Sequence, residues 1–218
     1  MRLYDCRKVR DRDAGVKAAV SAVRAGDLVV LPTDTVYGLG ADAFKPKAVE
    51  KLLRAKERGR DMASPVLVGS RKGLDGLTVS VPAKIRDLTA AFWPGPLTIV
   101  INYSPTLTWD LGDTDGTVAV RMPLHPVALE VLAETGPMAV SSANKSGRPP
   151  AATAADAKDQ LGRSVRTYLE AGESTDSAPS TIVDCTEDAP VVLRAGALSL
   201  ERIRQVAPDT LGVDEVEE

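Results

Sequence analysis

Thr33, Asp34, Thr35 and Tyr37 crowd into five consecutive positions, just after the apolar run Leu28, Val29, Val30, Leu31 that Pro32 closes. Hydroxyls around one carboxylate at the end of a buried strand occupy the place where open α/β sheets hold ligands. Gly38 and Gly40 follow, residues that let a backbone bend or another group come close. A second segment repeats the design: apolar residues 137–140 run into Ser141-Ser142-Ala143-Asn144-Lys145-Ser146-Gly147. Cations stand at several segment ends: Lys56, Arg58 and Arg60 after a helical stretch, Arg121 closing TVAVR, and Arg194 in LRAG. A strand-end arginine can present a planar fork to a carboxylate or phosphate. Ser180 and Thr181 open another strand. Hydroxyls, an amide and cations without a nucleophile–base pair suit phosphoryl or nucleotidyl transfer, in which the protein positions groups and offsets developing charge. Plainer readings stand beside this one. The first loop also reads as a polar turn with two permissive glycines, Lys56 as a cation complementing a helix C-terminus, and Arg121 as a surface residue.

Composition narrows the classes. With 218 residues, 44% of them hydrophobic and 26% charged, the chain can bury a sizeable core as one domain. It holds no apolar run near the roughly 20 residues that cross a bilayer. The charged N-terminus lacks a signal-peptide pattern, and Cys6 and Cys185 form no disulfide framework; both features fit a reducing, cytoplasmic setting. The single histidine, His125, argues against His-rich metal sites and a Ser–His–Asp triad. No G-x-x-x-x-G-K-[ST] phosphate loop occurs. Net charge is −3, yet seven cations lie within residues 45–60 against Glu50 and Glu57. The segment from Asp209 holds five acids and no base, and is expected to fray.

These residues need elements to position them. Helical spacing over 13–25, a strand over 27–31 and a helix opening at Pro46 come first. The apolar stripe of that helix is Val49, Leu52 and Leu53, and the next position on it is Lys56, which a docked helix would carry inward. Strands are expected over 65–69, 97–103, 117–121, 137–140, 166–171, 180–184 and 191–194. Helices are expected over 82–92, 126–134, from an N-cap at Thr153 to 161, and over 200–206. Trp93-Pro94-Gly95-Pro96 reads as a rigid turn. Several strand–strand links are too short for a parallel crossover, so the sheet should be mixed. One domain over 1–208 with a tail over 209–218 is the expected organisation.

Seven ordered motifs now carry a resemblance: LPTDTVYGLGAD, AKERGR followed by PVLVG, WPGPLTIVI, VAVRMP, SSANKSG, PSTIVD and LRAG. Together they resemble the YrdC/TsaC family of threonylcarbamoyl-AMP synthases, in its short single-domain bacterial form. The resemblance implies a twisted open mixed α/β sheet flanked by helices, with a concave, positively charged cleft. It implies nucleotidyl transfer: L-threonine, bicarbonate or CO2, and Mg2+-bound ATP give threonylcarbamoyl-AMP and pyrophosphate. A separate transferase complex then passes the group to adenosine 37 of tRNA. Carried over position by position, Thr33, Thr35, Arg121 and Ser180 would hold threonine. Ser142, Asn144, Arg194 and Thr117 would reach ATP. The family's Lys-x-Arg motif matches Lys56-Glu57-Arg58 by residue type and Arg58-Gly59-Arg60 by distance to the next strand. Lys56, Arg58 and Arg60 therefore share interchangeable charge-stabilising and ATP-binding roles, and no metal ligand is assigned to the protein. Ser64-Pro65-Val66 stands where the family often has Lys-Pro-Leu.

Other readings remain at this point. They are a YciO-like relative with a different or lost activity, an enzyme of carbamoyl-adenylate formation, or a non-catalytic RNA-binding module using the basic segment. Weak tRNA contact is compatible with the synthase reading, and no membrane partner is expected.

Overall fold

The computed structural model describes residues 1–174 and 178–215. In chain order its elements are β1 (Arg2–Asp5), α1 (Val9–Arg24), β2 (Val29–Leu31), β3 (Gly38–Asp42), α2 (Pro46–Lys56), β4 (Val66–Leu67) and α3 (Lys72–Asp75). There follow α4 (Ala83–Phe92), β5 (Leu97–Asn102), β6 (Thr117–Arg121), α5 (Pro126–Thr135), β7 (Met138–Ser142) and α6 (Ala154–Leu161). The last elements are β8 (Thr167–Glu170), β9 (Thr181–Asp184), β10 (Val191–Arg194) and α7 (Leu200–Arg204). All ten strands join one sheet in the order β1-β8-β2-β3-β7-β4-β6-β5-β9-β10. The sheet is mixed: β2–β3–β7–β4 and β5–β6 are antiparallel, whereas β1–β8–β2, β4–β6 and β5–β9 are parallel.

The unbroken apolar run at β2 is explained by burial on both faces of the sheet. Val29 and Leu31 pack with Val127, Val131 and Leu132 of α5, while Leu28 and Val30 pack with Leu52 of α2, Leu161 of α6 and Tyr168. A third core gathers Leu88 and Trp93 with β5, β6 and Ile203 of α7. Helices thus cover the sheet on both sides, and the polar segments at strand ends are left at its rim.

Three elements were not legible in the sequence. β1, Arg2-Leu3-Tyr4-Asp5, lacks a strand alternation and becomes a strand by pairing with β8, more than 160 positions away. Gly38–Asp42, expected as part of a bent loop, is strand β3, paired with β2 and β7. Its glycines serve close approach: a Cβ at Gly38 would lie 2.6 Å from Val140 Cγ1, and one at Gly40 2.6 Å from Met138 Cε. The short helix α3 was also missed. As far as it is described, the tail makes contacts with the rest of the chain. Leu211 bridges Val191, Thr210 is buried, and Glu215 accepts from Gly212 N and pairs with Arg204. Residues 216–218 of that tail lie outside the described residues.

One buried polar knot fastens the first loop to the end of the neighbouring strand β8. Tyr37 Oη accepts from Ala171 N at 3.0 Å, and its proton is shared between Gly172 O at 2.6 Å and Glu170 Oε1 at 3.0 Å. Glu170 in turn accepts from Gly172 N and from Ala154 N at the start of α6. Burial pushes the Tyr37 hydroxyl well above its ordinary pKa, so it stays a donor. Tyr37→Phe is expected to cost about 1–3 kcal/mol, because Ala171 N–H loses its partner in a dry site. A lower urea midpoint with an unchanged slope checks this.

Candidate active site

Arg121 closes β6 and is 6% exposed. Its Nε donates to Gly95 O at 3.0 Å, Nη1 to Thr35 Oγ1 at 2.8 Å, and Nη2 to Asp34 Oδ1 at 2.6 Å. The Trp93–Pro96 turn earns its rigidity here, since Gly95 N is held by Met122 O and its carbonyl meets the guanidinium. Asp34 Oδ1 also accepts from Leu124 N at 2.8 Å, which pins the carboxylate. Thr33 Oγ1 donates to Val36 O at 2.6 Å and lies 3.2 Å from Thr35 Oγ1. Burial works against the Arg121 charge and Asp34 opposes that push. A guanidinium has five N–H donors, so one on each terminal nitrogen remains for a ligand.

Ser180, just ahead of β9, is buried with its Oγ 2.8 Å from Thr98 Oγ1 of β5. Arg194, at the end of β10, donates from Nη2 to Ser180 O at 2.7 Å and to Ser180 Oγ at 3.1 Å. Gly196 makes this possible, because a Cβ there would fall 2.6 Å from the backbone of Ser180 and Thr181. Partial burial, and then the charge of Arg121, press the Arg194 guanidinium down.

The third group forms where α2 ends. Lys56 is fully buried. Its Nζ donates to Ser142 O at 2.5 Å, Ser142 Oγ at 3.1 Å and Asn144 Oδ1 at 3.0 Å, which uses all three N–H. Glu57 then takes the left-handed conformation, with φ of 57°, and ends the helix. Its carboxylate meets Lys145 Nζ at 2.5 Å. Arg58 turns back toward β7, donating to Ser146 Oγ at 3.2 Å and Ser141 Oγ at 3.3 Å. Ser146 N adds a bond to Lys56 O at 3.0 Å. The tripeptide and the Ser141–Ser146 loop are joined residue by residue.

The three groups border one cleft of about 340 Å3, whose walls carry Arg58, Arg121 and Arg194 and, among the described residues, no acidic side chain. The family model described as telomere recombination, for Sua5, YciO and YrdC, matches residues 21–196. The chain belongs to the Sua5/YciO/YrdC family. A Mycobacterium tuberculosis relative is 56% identical over 211 residues, covering 97% of this chain and 95% of the relative. A Bacillus subtilis protein named threonylcarbamoyl-AMP synthase is 36% identical, over 89% of this chain and 57% of its own length. The crystal structure of Pyrococcus abyssi Sua5 complexed with L-threonine superposes with a TM-score of 0.85 at 36% identity, over 90% of this chain and 58% of that one.

Within this family frame, the structure brings most of the expected residues together. Thr33, Thr35, Arg121 and Ser180 line the cleft, as do Arg58, Ser142 and Arg194. Lys56 and Asn144 lie just behind Ser142 and bond to each other. Two expected residues are placed elsewhere. Arg60 forks onto Asp110 at 2.8 and 3.0 Å and sits beside Asp113, facing a separate groove on the outer side of α2. Of the three cations, Lys56 and Arg58 bond to the Ser141–Ser146 segment and Arg60 to a surface acid. Thr117 opens β6, four residues from Arg121, or about 13 Å at strand rise; its hydroxyl donates to Thr114 O. The basic segment is likewise divided, with Lys51 on Asp27 and Arg54 on Glu50, outside the cleft. Sequence reasoning gave no role to Asp34, Thr98 or Ser141. Asp34 stood in plain view between two threonines, and its partnership with Arg121 spans 87 positions.

The family's buried lysine has a titration consequence. Burial, with the Arg58 charge adding to it, pulls Lys56 down to about 7 from its usual 10.5. The unfolded chain then binds more protons than the native one between those two values. Wild type should therefore gain stability relative to Lys56→Met as pH rises from 7 toward 10, by up to about 1.4 kcal/mol per pH unit. Urea melts of both proteins at pH 7, 8 and 9 measure the difference.

Proposed function

We propose that this chain is an L-threonylcarbamoyladenylate synthase, a nucleotidyltransferase working from L-threonine, bicarbonate or CO2, and ATP. The observation that carries the reading is one cleft holding an acid-paired arginine among threonine hydroxyls next to two arginines, Arg58 and Arg194, that have no acid partner among the described residues. The B. subtilis relative's name and the P. abyssi complex with L-threonine support it.

In this reading the carboxylate of threonine takes the two free N–H of Arg121, and Thr33, Thr35 and Ser180 fix its polar groups. The free amine captures CO2, forming an N–C bond and losing a proton, to give a carbamate. A carbamate oxygen attacks the α-phosphorus of ATP, the bond to the β-phosphate oxygen breaks, and pyrophosphate leaves with the electron pair. Arg58, Arg194 and the Ser142–Asn144 loop lie where the phosphates would be held, and Lys56 fixes that loop from behind. Holding carbamate and phosphate together replaces a bimolecular encounter with an oriented one, and the guanidiniums stabilise charge that grows in the transition state. Among the described residues the cleft offers hydroxyls and guanidiniums rather than carboxylates, and no group of three acids, His or Cys that could hold a metal occurs among them. A protein-held metal does not fit this donor set; Mg2+ enters only as the counter-ion of ATP. The product passes to a tRNA threonylcarbamoyltransferase complex, and any direct tRNA contact is weak. No helix among the described residues is long and apolar enough to cross a membrane.

Pyrophosphate release by the purified protein with Mg2+, ATP and bicarbonate tests the proposal. Release that requires both L-threonine and bicarbonate, with L-serine a poor substitute, is the expected result; threonine-independent or absent release refutes it. Arg121→Lys keeps a charge opposite Asp34 and loses the fork, so the threonine KM should rise by about tenfold or more while the ATP KM holds. Arg60→Ala should stay within about twofold of wild type in kcat/KM, because a surface ion pair contributes little.

A further inference from the structure

The cations of the cleft differ in their partners. Arg121 faces Asp34 across 2.6 Å, with the two side chains 8% and 13% exposed. Among the described residues, Arg58 meets only the hydroxyls of Ser141 and Ser146, Arg194 only Ser180, and Lys56 only Ser142 and Asn144. One guanidinium of the cleft is therefore neutralised by a buried carboxylate, and the other two keep their full charge. Arg121 and Asp34 are buried, where charges interact far more strongly than in bulk solvent, whereas Arg58 is half-buried and Arg194 exposed to the solvent a polyphosphate would arrive from.

We propose that Asp34 is a specificity-determining positioning residue, which cancels the net charge of Arg121 while leaving its hydrogen-bond fork, so that this subsite takes an amino-acid carboxylate and rejects phosphate. The proposal rests on threonine being the substrate. A fork without a net charge suits a zwitterion: the carboxylate finds two aligned N–H, and the ammonium beside it meets no uncompensated cation. A polyphosphate binds largely through charge and is drawn to Arg58 and Arg194. Two substrates that both carry anionic groups thus sort themselves within one cleft. Threonine is kept from the phosphate sites by weaker charge, and ATP from the threonine site by the absence of it. Asp34 does not touch the ligand. It acts through Arg121, and Leu124 N and Thr35 Oγ1 fix the geometry of the pair.

Asp34→Asn separates charge from geometry, because an amide oxygen can still accept from Arg121 Nη2 and Leu124 N. Threonine binding is measured by titration calorimetry without ATP, in the presence and absence of inorganic phosphate. In wild type, phosphate should leave the threonine Kd unchanged. In Asp34→Asn, phosphate should raise the apparent threonine Kd by about tenfold, competitively, while the ATP Kd moves less than about twofold. A merely structural role would shift threonine affinity without creating competition by phosphate. The proposal is overturned if phosphate competes with threonine in wild type, or if the folded variant is as indifferent to phosphate as wild type. Should the variant not fold, the wild-type titration alone decides. Wild type that binds no threonine at all refutes the synthase reading itself, whereas threonine binding with an unaltered phosphate response refutes only the role of Asp34.

Discussion

The buried amine of Lys56 holds the phosphate-facing half of the cleft in shape. It bonds to Ser142 at the end of β7 and to Asn144 just after it, so the end of α2 and the end of that strand cannot move apart without leaving buried polar groups unpaired. Removing one partner of such an arrangement is costly, because the groups left behind lose their hydrogen bonds in the core. Its neighbours follow from it. The left-handed turn at Glu57 is set by where Lys56 must end, and it throws Arg58 back along the same loop. The Lys-x-Arg and Ser-x-Asn motifs are one structure, written in two places 86 positions apart.

The sheet order explains why a site can exist here. Arg121 ends β6, and the Thr33–Thr35 loop follows β2, strands that are not neighbours. β3, β7 and β4 lie between them, and the short β4 leaves the rim open where the polar loops meet. The glycines of β3 let β7 approach closely, which carries Ser141 and Ser142 to the cleft wall. Gly196 does the same for β10, seating Arg194 on the Ser180 backbone. Close backbone packing, more than any single hydrogen bond, is what brings three separated polar segments to one cavity.

Local pattern made several elements legible. Pro46 and the Val49, Leu52, Leu53 stripe predicted α2 and the inward course of Lys56, and both hold. Thr153 caps α6 through a reciprocal box with Asp156, as its residue type suggested. Spacing to the next strand drew attention to Arg60; the structure pairs it with Asp110, and nothing local to residues 56–60 announces that partner. The strand of Thr117 was legible as well, and the structure sets that residue at the opposite end of β6 from Arg121. β1 escaped notice because its strand character is supplied by β8 alone.

By itself the sequence determined the repertoire: which hydroxyls, amides and cations end apolar segments, and that no histidine or cysteine chemistry competes with them. Its ordered motifs determined the family as well, since seven matches in sequence constrain more than any one. What only the tertiary structure decided is partnership. Whether an arginine is neutralised by Asp34, exposed on Asp110 or left with hydroxyls depends on groups 50 to 90 positions distant, and charge in a buried site is set by such neighbours rather than by residue type.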